Sequence, residues 1–386
     1  MISVGKKIVH FHNGTGGGVL SVIRNLLAYP QHPEIENHVI YTINKEQIPV
    51  YNAPGLAGAA SEQVFYYSPK WNFYHTCRKL SKLLPGNEAV IVAHDWLELG
   101  MVSNLGLQNP VVQVLHGDYD YYYQLAKRNE AWVDRFICVS ATIAAVLKNT
   151  LPHRENDIHY LPFPVPEING VRKESSIIQL VFAGRCEDSK GYHLLPLIDA
   201  ELQQKKCKVH WHIAGPGSDN PDMQKIWNTE AVSFYGNLTQ QQLNKLLLQA
   251  TAFILPSLAE GMPVSVIEAM KAGAIPVVND LRGGLQELVE NDVTGYRICN
   301  NDPCLFADRL CEIATDIKKQ DRLSMAARLF ANIKFDPVNN ARLIEDCFVQ
   351  AMHYVKEKTA VKTIGSRLDQ PCFPNLLVTT IRSVTN

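Results

Sequence analysis

Apolar runs rich in Val, Ile and Phe alternate along most of the chain with segments whose apolar residues recur at helical spacing. This alternation predicts βα units and parallel sheets, because buried parallel strands consist of nearly continuous apolar runs. In the first half the pattern predicts strands at 8–12, 39–43, 90–93, 111–115 and 136–139. It predicts helices at about 19–29, 71–84, 97–107 and 142–150.

A proline-rich segment separates this series from a second one. Residues 161–166 are Leu-Pro-Phe-Pro-Val-Pro, whose prolines disfavour a helix and cannot donate to a sheet, so they predict a linker. Further strands are predicted at 180–183, 209–214, 232–235, 252–255, 275–278 and 296–298. The sequence therefore predicts an α/β protein with two doubly wound domains, 1–165 and 166–337, whose ligand crevices face each other.

A long helical pattern at 338–356 and a tail of little periodicity end the chain. We expect this segment, 338–386, to complete the first domain. A loosely packed tail is the alternative that the sequence leaves open.

Composition narrows the class of partner. The 386 residues exceed the roughly 250–300 over which a single core usually grows, in agreement with two domains. The 37 Lys and Arg residues balance 38 Asp and Glu, which argues against a partner held mainly by charge, such as nucleic acid. The nine cysteines are scattered, with neither zinc-ligand nor disulfide spacing. We therefore expect a cytoplasmic protein without a bound metal.

The first candidate site is the glycine run Gly14-Thr15-Gly16-Gly17-Gly18, which follows a predicted strand and opens a predicted helix. The free N–H groups at such a helix terminus can bind a phosphate or a sugar hydroxyl. A dinucleotide fingerprint would need glycine at position 19, where Val19 stands, so a dehydrogenase is disfavoured. A simple strand-to-helix turn remains the alternative.

The second candidate is the loop Gly184-Arg185-Cys186-Glu187-Asp188-Ser189-Lys190-Gly191, directly after a predicted strand. Its two cations, Arg185 and Lys190, can both reach one diphosphate, Arg185 through its planar fork and Lys190 as a point charge. A solvated loop is the alternative, but a position at the carboxyl end of a strand favours a ligand site.

The third candidate is the segment 256–273, in which a strand ends at Pro256, a loop carries Glu260, and a helix beginning near Pro263 carries Glu268. The helix terminus offers N–H groups to a phosphate. Glu268 can accept hydrogen bonds from two ribose hydroxyls, and Glu260 can do the same for a sugar. The alternatives are a surface position for Glu268, although its apolar neighbours would bury it, and a turn for Glu260.

The order and spacing of these motifs resemble the retaining family-4 glycosyltransferases. Further matching motifs are Ile213-Ala214-Gly215-Pro216-Gly217, Val232-Ser233-Phe234-Tyr235-Gly236, Gly283-Gly284-Leu285-Gln286-Glu287 and Thr294-Gly295. The resemblance is strong from about 181 to 296 and looser before. It implies the GT-B fold, in which two Rossmann-like domains face each other across a cleft.

The resemblance also implies roles for individual residues. Arg185 and Lys190 would hold the donor diphosphate in place of a metal ion, and Glu268 would hold the ribose. His116 and Glu260 would lie at the transferred sugar, Glu260 as an anchor and not a nucleophile. The remaining donor-binding positions implied are Gly16, Gly17, Gly236, Asn237, Leu238, Gly261, Met262, Pro263, Val264 and Ser265. A lone histidine at a strand end can otherwise be structural.

The expected function is transfer of a sugar from a UDP- or GDP-sugar to a glycan or lipid-linked acceptor, with retention of configuration and no cofactor. A nucleotide-sugar epimerase and a non-catalytic nucleotide-sugar-binding protein are the alternatives. Helix 71–84 has an outer face that could touch a membrane carrying the acceptor, or could simply be solvated. The aromatic run Tyr119-Asp120-Tyr121-Tyr122-Tyr123 could line an acceptor groove or pack between domains.

Overall fold

The computed structural model describes residues 6–15, 17–170, 175, 177–227, 230–353, 358 and 364–385. These residues form two compact units. Unit 1 comprises the described residues of 1–139, 143–163 and 338–386, and unit 2 those of 140–142 and 164–337. The change from one unit to the other at Phe163 and Pro164 falls inside the predicted linker.

Unit 1 contains a parallel sheet of seven strands in the order β3-β2-β1-β4-β5-β6-β7. Its strands are β1 (Lys6–His12), β2 (Ile35–Asn44), β3 (Ala59–Tyr67), β4 (Val90–Ala93), β5 (Val111–Leu115), β6 (Arg135–Cys138) and β7 (Ile158–Tyr160). Every residue of β4 and β5 is buried, as expected for strands covered by helices on both faces.

The helices of unit 1 come from both ends of the chain. They are α1 (Gly18–Ala28), α2 (Phe73–Ser81), α3 (Trp96–Leu105), α4 (Asp120–Asn129), α5 (Ala141–Thr150), a 3₁₀ helix at Pro152–Asp157, α13 (Pro337–Met352) and α14 (Asn375–Thr385). The described part of the tail packs on α2. Asn72 donates its backbone N–H to Asn375 Oδ1 at 2.7 Å and its side-chain amide to the Phe373 carbonyl at 2.8 Å.

Unit 2 contains a parallel sheet of six strands in the order β10-β9-β8-β11-β12-β13. Its strands are β8 (Ile178–Ala183), β9 (Val209–Ala214), β10 (Val232–Phe234), β11 (Ala252–Leu255), β12 (Ile275–Asn279) and β13 (Tyr296–Ile298). Its helices are α6 (Leu195–Gln204), α7 (Pro221–Ile226), α8 (Gln240–Leu247), α9 (Val264–Ala272), α10 (Gly284–Leu288), α11 (Pro303–Thr315) and α12 (Ile317–Lys334), with 3₁₀ turns at Asp188–Lys190, Tyr192–Leu194 and Cys299–Asn301.

Both sheets reverse their strand order at one point, between β1 and β4 in unit 1 and between β8 and β11 in unit 2. The prediction of two doubly wound α/β domains is therefore confirmed. In such sheets, ligands bind at the carboxyl ends of the strands that flank the reversal. Among the described residues, no helix combines the length and apolar character needed to cross a bilayer.

Two strands of unit 1 were not predicted, β3 and β7. The sequence of β3, Ala-Ala-Ser-Glu-Gln-Val-Phe-Tyr-Tyr, mixes polar and apolar residues because it lies at the edge of the sheet and is only partly buried. The other edge strand, β7, has only three residues. Edge strands lack the continuous apolar run by which the central strands were recognised.

Candidate functional site

The loop after β8 carries both predicted diphosphate-binding cations. Arg185 is about half exposed, and its Nη1 lies 3.3 Å from Glu187 Oε1 on the same loop. Gly191 ends the loop with φ +68°, and a Cβ atom at this position would lie 1.9 Å from the Pro256 carbonyl oxygen. The loop therefore packs directly against the backbone that follows β11, and glycine is required at the contact.

Lys190 meets Glu260 across these two loops. Lys190 Nζ donates to Glu260 Oε1 at 2.6 Å, and Ser257 Oγ donates to the same oxygen at 2.6 Å. The Leu258 N–H also donates to the Ser189 carbonyl at 2.9 Å. The side chain of Glu260 is 7 % exposed, so this carboxylate is buried with its countercharge. The structure thus joins a predicted diphosphate ligand and a predicted sugar anchor in one cluster.

Helix α9 begins immediately after this cluster. Pro263 is its N-cap residue, and no side chain caps the terminus. The Val266 N–H donates to the Pro263 carbonyl at 3.1 Å, while the N–H groups of Val264 and Ser265 have no hydrogen-bond partner within the described chain. These two donors and the positive end of the helix dipole are available to an anion.

Gly261 and Met262, the residues between Glu260 and Pro263, lie against the start of α10. A Cβ atom on Gly284 would lie only 1.9 Å from the Gly261 carbonyl oxygen. This close approach explains why position 284 is a glycine, since a side chain there would push the loop away.

Glu268 lies inside α9 and is 6 % exposed, as its apolar neighbours Val264, Ile267 and Met270 indicate. Its Oε1 accepts a hydrogen bond from Gln240 Nε2 at 2.9 Å. A buried carboxylate requires such donors. Gln240 begins α8, two residues after Leu238, the last of the predicted donor-binding residues 236–238, so this contact brings two parts of the predicted donor site together.

The loops after β8, β9 and β10 are joined by their backbones. Gly236 has φ +63°, accepts the Gly215 N–H at 2.8 Å on its carbonyl, and donates its own N–H to Ser218 Oγ at 2.9 Å. A Cβ atom on Gly215 would lie 2.1 Å from the Gly184 carbonyl. The predicted donor-binding residues of unit 2 therefore follow strands β8, β10 and β11 at one edge of one sheet.

In the part of the chain that is described, no group of three or more His, Cys, Asp or Glu side chains could hold a metal ion.

His116 follows β5 at the carboxyl edge of the sheet in unit 1. Its Nε2 lies 2.7 Å from Nδ1 of His94, which follows β4, so one ring donates and the other accepts. His10, on β1, stacks on His94 with ring centroids 6.3 Å apart. Burial lowers the pKa of His10 to about 4 and that of His116 to about 3, and it lowers the pKa of His94 well below its usual value. All three rings are therefore neutral at pH 7 and would act on a ligand as dipoles, not as cations.

The glycine run joins β1 to α1. Gly14 has φ +77° and donates its N–H to His12 Nδ1 at 3.0 Å. Gly17, with φ +143°, is the N-cap residue of α1 and leaves the helix terminus without a side-chain cap. Gly16 lies outside the described residues. The first turn of α1 therefore presents N–H groups beside the reversal between β1 and β4.

Two family models match consecutive parts of the chain. The model described as Glycosyltransferase Family 4 matches residues 16–167, and the model described as Glycosyl transferases group 1 matches residues 167–330. The chain belongs to the family-4 glycosyltransferases of the GT-B fold. The resemblance to the family-4 glycosyltransferases that the motifs indicated is thereby confirmed, and retention of configuration stays a prediction.

Individual relatives of this family-4 glycosyltransferase chain match over shorter stretches. A protein provisionally named colanic acid biosynthesis glycosyltransferase WcaL, from Escherichia coli, is 28 % identical over 150 residues, which cover 36 % of this chain and 37 % of the relative. Glycogen synthase of Mycobacterium tuberculosis is 30 % identical over 169 residues, which cover 43 % of this chain and 41 % of that enzyme. The chain thus spans little more than a third of the length of the curated relatives it matches.

A solved structure matches over nearly the whole chain. The crystal structure of Anabaena HepE in complex with UDP and glucose superposes with a TM-score of 0.70 and covers 89 % of this chain and 100 % of HepE. At 18 % sequence identity, this likeness concerns the fold.

Three residues of the candidate site were missed from the sequence: His94, Ser257 and Gln240. Each lies near a strand's carboxyl end or at a helix start. Ser257 belongs to the candidate segment 256–273 but was given no role there, and His94 and Gln240 belong to no motif that stands out in the sequence. The topology was the available signal, since β4 neighbours β5 and would bring His94 beside His116.

Proposed function

We propose that the chain is a retaining glycosyltransferase that moves a sugar from a UDP- or GDP-sugar to a glycan or lipid-linked acceptor without a metal ion. The observation that carries the proposal is the cluster of Lys190, Glu260 and Ser257 beside the uncapped terminus of α9. It lies at the reversal of the unit 2 sheet, where a nucleotide is expected. The UDP in the HepE structure supports a UDP-sugar as the first donor to test.

The proposed chemistry requires stabilisation of a leaving diphosphate. As the bond between the sugar C1 and the phosphate oxygen breaks, negative charge grows on the diphosphate. Arg185, Lys190 and the N–H groups of Val264 and Ser265 supply positive potential there. Glu260 remains paired to Lys190 and accepts sugar hydroxyls. Glu268 accepts the ribose hydroxyls.

In the retaining reaction, the acceptor hydroxyl attacks C1 from the face that the diphosphate leaves. The new bond from C1 to the acceptor oxygen forms as the bond from C1 to the diphosphate oxygen breaks. The acceptor proton passes to an oxygen of the departing diphosphate. No protein nucleophile is needed, which agrees with a Glu260 held in an ion pair. The names of two relatives, in colanic acid and amylovoran biosynthesis, support a polysaccharide or its lipid-linked precursor as acceptor.

Thermal-shift measurements with UDP-, GDP- and ADP-sugars in excess EDTA test the proposal, because a ligand that binds only the folded state raises the midpoint. One nucleotide class should stabilise the protein. Lys190→Ala and Glu268→Ala should each raise its Kd about ten- to hundredfold, since each removes a hydrogen bond to or from a charged group, worth about 1.5–3 kcal/mol.

Lys205→Ala is the matched control, because Lys205 pairs with Asp308 at 2.8 Å on the surface of unit 2, at the end of α6. It should leave the shift unchanged. Loss of the shift in EDTA would contradict metal independence.

The products formed from donor alone decide between the alternative functions: an isomerised sugar indicates an epimerase. Nucleotide binding without turnover on any donor and acceptor indicates a binding protein.

A further inference from the structure

Unit 1 contains a cavity of about 230 Å³ that the candidate site does not use. Four aromatic residues line it: Tyr67, Trp71, Phe73 and Trp96. Its volume lies just below the roughly 300–1,000 Å³ of pockets for drug-sized ligands, which suits a single small ring.

The cavity lies at the carboxyl edge of the unit 1 sheet. Tyr67 is the last residue of β3, and Trp96 is the first residue of α3, which follows β4. Only Asp95 separates Trp96 from His94, the partner of His116. Asp95 also accepts a hydrogen bond from Tyr121, one of the tyrosines expected in an acceptor groove. The cavity therefore continues the edge that carries the buried histidines.

The described part of the C-terminal tail closes the cavity. Asp369 accepts the Phe73 N–H at 2.6 Å through Oδ1, and its Oδ2 accepts from Arg382 Nη2 at 2.8 Å. Arg382 Nη1 donates to the Trp71 carbonyl at 2.6 Å. Asp369 is 4 % exposed, so the tail is held by a buried, satisfied network. The wall that it forms is part of the folded unit.

Charge in this cavity is balanced. Asp369 and Arg382 are the charged residues among the described lining residues, and they neutralise each other. A phosphate or carboxylate would find no spare cation inside. Lys45 and Lys79 lie outside, with their Nζ atoms 4.5 and 5.4 Å from the centre of the Trp71 ring. The interior therefore suits an uncharged ligand.

The cavity combines ring surfaces with unused hydrogen-bonding groups. Trp96 packs on Phe73 with ring centroids 5.4 Å apart and on Tyr67 at 6.2 Å, which fixes its orientation. Within the described residues, the N–H groups of the Trp71 and Trp96 indoles and the Tyr67 hydroxyl have no hydrogen-bond partner. Rigid aromatic faces with a polar edge suit a ligand that is itself apolar on its faces and polar around its rim. A pyranose ring has this character.

We propose that this cavity is a subsite for one neutral pyranose residue of the acceptor glycan. The assignment to an acceptor rests on the proposed transferase function. The aromatic rings contact the C–H faces of the sugar, and the indole N–H groups and the Tyr67 hydroxyl bind its hydroxyls. The tail segment with Asp369 and Arg382 is then part of the acceptor-binding surface.

Saturation-transfer NMR of the full chain with methyl pyranosides of glucose, galactose, mannose and N-acetylglucosamine tests the subsite without knowledge of the whole acceptor. At least one of them should bind in the absence of nucleotide. Trp96→Ala should weaken its affinity at least tenfold, and Trp96→Phe, which keeps a ring but loses the N–H, should weaken it less. Trp71→Ala is a second variant at a half-buried lining position, in case Trp96→Ala does not fold.

Tyr74→Ala is the matched control, because Tyr74 is a half-buried aromatic residue of α2 that does not line the cavity. It should leave pyranoside binding unchanged. Failure of every pyranoside to bind, or equal binding by the wild type and both tryptophan-to-alanine variants, would overturn the subsite. The UDP-induced thermal shift of the same wild-type sample separates the two proposals. Pyranoside binding without any nucleotide shift would overturn the transferase proposal, and a nucleotide shift without pyranoside binding would overturn only the subsite.

Discussion

The carboxyl edges of the two sheets follow the same strand order near their reversal but differ in charge. Unit 2 presents the Lys190–Glu260 pair and the buried Glu268, next to an uncapped helix terminus. Unit 1 presents histidines whose burial keeps them neutral, and aromatic rings. Because a leaving diphosphate is charged and sugar hydroxyls are not, the difference agrees with the proposed donor site in unit 2 and the proposed acceptor subsite in unit 1.

The two edges also differ in how their buried polar groups are stabilised. Unit 2 pairs its charges, as Lys190 does with Glu260. Unit 1 suppresses charge: burial lowers the pKa of His10 and His12 to about 4 and raises that of Glu98 to about 8. Perturbed values of this kind are concentrated at functional sites in many proteins. Variants can separate these two strategies.

The largest effect is expected from Gly191→Ala in unit 2. Its φ of +68° costs an alanine about 1–2 kcal/mol, and the contact with the Pro256 carbonyl at 1.9 Å forces the two loops apart, for a total of about 3 kcal/mol. Nucleotide affinity should fall as well, since Lys190 moves from Glu260. Gly55→Ala in unit 1 is the control, with φ +70° but no atom within 4 Å of the added Cβ, and should cost about 1 kcal/mol. Chemical denaturation measures both, and equal losses would mean that the loop contact is unimportant.

A pH-dependent effect, smaller for each pH unit, is expected from Glu98→Gln in unit 1. Glu98 is 2 % exposed, and its Oε1 accepts the N–H groups of His94 and Asp95 at 2.6 and 2.7 Å. Its pKa is higher in the folded protein, about 8, than in the unfolded chain, so the folded state binds more protons between these values. The contribution of Glu98 to stability should therefore fall as pH rises from 5 to 8, by at most about 1.4 kcal/mol per pH unit, while the buried histidines, whose pKa values are lowered, contribute in the opposite direction.

Glu98→Gln keeps the acceptor oxygen and removes the titration. As the pH rises from 5 to 8, the unfolding free energy of the variant should therefore rise relative to that of the wild type. Glu88→Gln, at an exposed position of the same unit, should follow the wild type. Parallel curves for wild type and Glu98→Gln would show that Glu98 does not titrate in this window.

The smallest effect is expected at His116. The resemblance to the family implies a contact between His116 and the transferred sugar, and one neutral hydrogen bond of this kind is worth about 0.5–1.5 kcal/mol, so His116→Ala should lower donor turnover about two- to tenfold. Because the pKa of His116 is about 3, the ratio of wild-type to variant rates should be constant between pH 5 and 8. A ratio that changes with a midpoint near pH 6.5 would show that His116 titrates as an ordinary histidine.

The sequence predicted the central strands of both sheets because most of their residues are apolar and buried, although β1 and β5 each include a buried polar side chain, His10 and Gln113. It did not predict edge strand β3, where Ser61, Glu62 and Gln63 interrupt the apolar pattern. Helix α2 is shorter than the predicted 71–84, since Asn72 caps it and it ends at Ser81. Caps and ends of helices depend on tertiary contacts, here with the tail.

For the candidate site, the positions of the functional residues could be predicted from the sequence, but not which side chains pair with each other. Lys190 and Glu260 are separated by 70 residues and were assigned to different parts of the donor, yet they share an ion pair. Only the adjacency of β8 and β11 brings them together. Likewise, His94 lies 22 residues from His116 and gains its role only through neighbouring strands.

The ends of unit 2 lie side by side. The buried Lys271 ammonium donates to the Val165 carbonyl at 2.6 Å and to the Phe335 carbonyl at 3.0 Å, and the Val165 N–H donates to Phe335 at 3.3 Å. The segment 164–337, which forms nearly all of unit 2, therefore starts and finishes at neighbouring positions. Chimeras that exchange residues 164–337 with those of another family member therefore need only two junctions, and they replace the segment that carries Lys190, Glu260 and Glu268 while the rest of the chain is kept.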